Sequence, residues 1–60
     1  MQIEKIAQHA RALYDAHGDK AEAEAAQKAK QHEEAGESEA AETWRAVQKA
    51  IRQLRGANES

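Results

Sequence analysis

Sixty residues without a single Cys make one small domain, and neither a disulfide nor a thiolate metal centre is available to staple it. A chain of this length buries only roughly 60% of the surface it exposes when unfolded, so its core is marginal from the outset. The net charge of −2, with both signs interspersed among 33% charged residues, excludes the single-sign field that draws in nucleic acid or anionic lipid.

No apolar run approaches the roughly 18 residues of a membrane span, and the N-terminus has no basic-then-apolar signal pattern. The expectation is a soluble, cytoplasmic protein of a reducing compartment, without a cofactor. Pro is absent, and the β-branched residues number five, with no period-two alternation that would mark a strand. The chain therefore reads as all-α, divided by Gly18, Gly36 and Gly56.

Helix 1 is expected over about 2–17. Ile3, Ile6, Ala7, Ala10, Leu13, Tyr14 and His17 recur at spacings of three and four and form its apolar face. Its start carries no capping Ser, Thr or Asp. Gly18 supplies a left-handed residue after its end, and Asp19 with Glu22 reads as a D-x-x-E capping box for the next helix.

Helix 2, about 20–35, offers only Ala21, Ala25, Ala26 and Ala29 as inward residues. Alanine permits close backbone approach but buries little area, so this helix reads as a wall between bulkier neighbours. Glu24 and Lys28 have the favoured order for an i, i+4 pair. His32 falls on the alanine side, and Gly36 closes the helix.

Helix 3, about 38–55, holds the only Trp and the densest run of large apolar side chains. Ala40, Trp44, Val47, Ile51 and Leu54 lie in one stripe. Ser38 is the expected N-cap and Gly56 the expected left-handed residue after the last turn. Glu39 and Glu42 near its start, and Arg52 and Arg55 near its end, match the helix dipole.

Short links make sequential helices antiparallel, which gives an up-down-up three-helix array over residues 1–56 followed by a flexible tail at 57–60. In that array the basic end of helix 3 lies near the acidic start of helix 2, at Asp19, Glu22 and Glu24. The expected core or interface residues are Ile3, Ile6, Leu13, Tyr14, Trp44, Val47, Ile51 and Leu54. Trp44, as the largest of them, is the position whose truncation is expected to unfold the domain.

Catalytic and metal sites are not expected. His9, His17 and His32 are never three or four residues apart on one helix, the spacing a helical ligand pair needs. The His17-Gly18-Asp19 run is explained by helix capping rather than proton transfer. Of the hydroxyls, Ser38 is assigned to a cap and Ser60 to the tail, which leaves Thr43. Arg45, Lys49 and Arg52 form a basic edge at i, i+4 and i+7 that could track phosphates, but the sequence pI of about 5.9 is not that of a nucleic-acid reader.

From Ala25 to Ile51, small residues on one helix, Gly36, and then Ala40, Trp44, Val47 and Ile51 resemble the helical hairpin of tetratricopeptide-type and microtubule-interacting-and-transport modules. Only Glu37 to Glu39 separate the turn Gly from Ala40, and no second copy follows. The wider layout of A-H-G-D at 16–19, A-G-E at 35–37 and W-x-x-V-x-x-A-I-x-x-L-R at 44–55 resembles small alphaproteobacterial three-helix proteins of unknown function. That resemblance implies a bacterial three-helix protein and no particular activity. The reading that follows is a small, non-enzymatic interaction or regulatory module, presenting an apolar helix face to itself or to a larger partner. A homodimer is expected, because eight large apolar residues beyond Met1 serve three helices. The alternative is a nucleic-acid-associated regulator using Arg45, Lys49 and Arg52.

Overall fold

A computed structural model describes the backbone of residues 3–56 and the side chains of residues 5–56. Three α-helices follow one another: α1 over Ile3–His17, α2 over Lys20–Glu34 and α3 over Ser38–Gly56. They form an up-down-up array in which α2 packs most extensively on α3, α1 packs on α3, and the contact between α1 and α2 is the thinnest. The expected tail at 57–60 and the side chain of Ile3 lie outside the described residues.

Both turns use a glycine in the left-handed region, at φ 63° for Gly18 and 81° for Gly36, as the sequence indicated. They close differently. After α1, a single bond from the Gly18 N–H to the Tyr14 carbonyl (2.7 Å) completes the helix end. After α2, the Glu37 N–H reaches the His32 carbonyl (2.8 Å) and the Gly36 N–H the Glu33 carbonyl (3.1 Å), the two-bond Schellman closure.

The helix starts depart from the sequence reading. Asp19 is helical itself (φ −62°, ψ −21°) and makes no side-chain cap bond, so the Asp19–Glu22 capping box does not form. A capping side chain reaches the first-turn N–H groups from an extended backbone, which Asp19 lacks. Its carboxylate lies instead 3.6 Å from Arg55, and Glu22 accepts from the same guanidinium at 2.5 Å. Ser38 is the first residue of α3, and the preceding Glu37 holds the cap position, its carbonyl accepting the Ala41 N–H at 3.0 Å. Gly56 continues the helix without positive φ and is not a left-handed terminator.

The core gathers Ala10, Ala21, Ala25, Val47 and Ile51, all wholly buried, with Ala29 and Ala41 also buried. The three buried alanines of α2 are spaced by four, so that helix lies close against α3 over its length. On α3 the buried residues are Ala41, Val47 and Ile51, while Ala40, Trp44 and Leu54 are half-buried, so the inward face is turned toward Ala41. Among the described side chains of α1 only Ala10 is buried; Ile6, Leu13 and Tyr14 are half-buried, and Ala7 and His17 are exposed. Ala26 on α2 is likewise half-buried.

Candidate interaction surface

Three of the large apolar side chains that the fold leaves partly uncovered, Leu13, Trp44 and Leu54, line two grooves. The inner face of α2 offers α1 only alanines and polar side chains, and an open groove of about 410 Å³ runs between them. Leu13 and Trp44 supply its large apolar surface, and His17, Glu24, Gln27, Lys28 and Gln31 make the polar remainder. The Trp44 indole meets the His9 ring edge-on, with centroids 5.2 Å apart and planes at 63°. At the end of this groove near the first turn, His17 Nδ1 lies 3.0 Å from a Glu24 carboxylate oxygen. Glu24 is thus engaged across the turn, and no Glu24–Lys28 ion pair forms among the described residues.

A second, smaller groove between α1 and α3 is lined by Ala7, Arg11, Ala50, Gln53 and Leu54. Of the seven large apolar residues whose side chains are described, only Val47 and Ile51 are wholly buried. Ile6, Leu13, Tyr14, Trp44 and Leu54 each keep part of their surface in water. Sequence periodicity marks them all as inward, but it cannot tell complete from partial cover. The polar rim at Gln27, Lys28 and Gln31 carried no signal of its own. Its indirect signal was the alanine-only inner face of α2, which leaves a gap opposite α1.

Arg45, Lys49 and Arg52 are exposed on α3 and line an open groove with Gln48, Gln53 and Gly56. Their charge is partly spent within the chain. Arg45 donates to Glu33 at 2.6 Å, while Lys49 and Arg52 have no carboxylate at ion-pair distance among the described residues. Arg55 belongs to the α2–α3 contact instead. Its guanidinium is held more firmly protonated than that of a free arginine, chiefly by the hydrogen bond to Glu22, against partial desolvation and with help from Asp19.

The remaining polar groups serve the turns. His32 Nδ1 is 2.6 Å from Glu37, so each turn of the bundle is spanned by a His–Glu pair. The Thr43 hydroxyl donates to the Glu39 carbonyl one turn back, at 3.0 Å. Among the described residues no group of three His, Asp or Glu side chains is placed to hold a metal ion. Among the described residues no helix is long and apolar enough to cross a membrane. Against models of known families, curated proteins and solved structures, the chain matches none.

Proposed function

We propose that this chain is a cytoplasmic, non-enzymatic interaction module that works by pairing, first with a second copy of itself, through apolar side chains its own fold half covers. The observation that supports this reading is the burial pattern: Leu13, Tyr14, Trp44, Ile6 and Leu54 remain partly in water, and among the described residues only two large side chains are wholly buried. Covering such surface is worth roughly 25 cal/mol per Å², a substantial gain for a domain this small. Two-fold pairing is the commonest closed arrangement of identical chains, and it lets one patch serve both sides. A larger protein partner presenting an apolar helix would use the same surface.

Sedimentation equilibrium over a hundredfold range of concentration tests the proposal. The expected result is a mass rising from the 6.6 kDa of one chain toward twice that value. A constant 6.6 kDa with full helicity throughout would overturn self-pairing.

The nucleic-acid reading rests on Lys49 and Arg52, which face solvent without a carboxylate partner among the described residues. The Arg45–Glu33 pair and the net charge of −2 weigh against it. Phosphate-driven binding falls steeply with added salt, whereas apolar pairing does not. Micromolar binding of DNA or RNA that collapses between low and physiological salt would favour the nucleic-acid reading.

A further inference from the structure

Helix α1 is the least secured of the three. Among the described side chains it contributes one wholly buried residue, Ala10, whose side chain is a single methyl group, and its larger Ile6, Leu13 and Tyr14 stay half-buried. Among the described residues its polar and aromatic ties to the other helices are the His17–Glu24 pair, between side chains 45% and 42% exposed, and the edge contact of His9 with Trp44. The α2–α3 pair is built otherwise. Arg45 and Glu33 pin one end of it; Arg55, with Glu22 and Asp19, pins the other. Between those pins, Ala21, Ala25 and Ala29 lie buried on α2 and Ala41, Val47 and Ile51 on α3. The connection from α1 to α2 is the two-residue turn Gly18–Asp19, with its glycine already in the left-handed region.

We propose that α1 is a hinged strap: it opens as a unit about the Gly18–Asp19 turn while α2 and α3 stay paired, and so uncovers Val47 and Ile51. Proteins open locally in cooperative units, and the unit with the fewest buried apolar contacts opens first. In this chain that unit is α1. Opening costs the half-buried contacts of Ile6, Leu13 and Tyr14 and the burial of Ala10, and leaves the Arg–carboxylate pins of the hairpin in place. The hairpin then presents Trp44, Val47 and Ile51 at helical spacing, so α1 controls how much apolar surface the module shows. The inference concerns motion within one chain and stands whether or not the chain pairs.

Native-state hydrogen exchange of the full chain, followed residue by residue by NMR at rising sub-denaturing urea, tests it. After correction for intrinsic rates, the amides of 7–17 should exchange together and roughly tenfold or more faster than those of 25–31 and 47–52. Their exchange should accelerate with urea, since a unit opening exposes surface, but less steeply than that of the slow amides. Equal protection and equal urea dependence in all three helices would overturn the proposal. So would faster exchange in α1 that is insensitive to urea, because that is fraying and not the opening of a unit.

Discussion

Truncating Ile51 to Ala removes a side chain wholly buried among Ala10, Ala21, Ala25 and Val47, a change that costs about 2–5 kcal/mol in such a setting. Trp44 is larger but half-buried, with its indole bordering an open groove, so Trp44→Ala should cost less, about 1.5–3 kcal/mol. Thermal unfolding followed by far-ultraviolet circular dichroism orders the two: Ile51→Ala should lose more helicity at room temperature than Trp44→Ala. The reverse order would return Trp44 to the central place that periodicity gave it. The Arg55–Glu22 pair is the most shielded of the ion pairs among the described residues, with side chains 38% and 19% exposed. Arg55→Gln and Glu22→Gln should each lower the melting temperature, and the double variant should lose less than the sum of the two. The sign of the pH effect follows from the raised Arg55 value. A cation held above its ordinary range contributes fully through the neutral range below it and fades at the alkaline end only as pH rises through that range. The stability difference between wild type and Arg55→Gln should therefore be flat from about pH 6 to 9. A difference that changes within that window would contradict the assignment of the shift to this pair.

The helix ends show what each glycine does. Gly36 has φ 81° and nothing within 4 Å of the position a Cβ would take, so Gly36→Ala is strained by backbone conformation alone and should destabilise by about 1 kcal/mol. Gly56 is helical with the same open space, so Gly56→Ala should be neutral or stabilising by up to about 0.5 kcal/mol. Chemical denaturation of the two variants checks the contrast, and a destabilising Gly56→Ala would show that α3 does end there in a left-handed residue. Helix number, length and order were legible in the sequence because no Pro or strand-forming pattern competes with the period of three and four. Gly18 and Gly36 were legible because only a positive φ explains them there. The capping box was misread, since Asp19 and Glu22 are drawn to Arg55, more than thirty residues away; the helix order placed that basic end beside them, but the local motif could not tell which interaction wins. The Trp44 groove was half legible: its apolar residues fall in the stripes, but the gap that exposes them depends on how closely three helices can approach around alanine.

At the scale of the molecule, a bundle with an alanine-faced central helix gains close packing between α2 and α3 and gives up cover over α1. The uncovered part is not spread evenly. Leu13 and Trp44 meet in one groove and Leu54 lies in the other, and each supplies apolar area that a second copy or a helical partner would bury. Pairing through this surface is the central claim, and the chain carries its own reporter, because Trp44 is the only Trp and borders the larger groove. The emission maximum of Trp44, recorded from nanomolar to high micromolar protein, tests the claim most directly. Pairing should shift it to shorter wavelength over the concentration range in which the sedimentation mass doubles, as water is displaced from the indole. An emission maximum that stays constant over that whole range would contradict it.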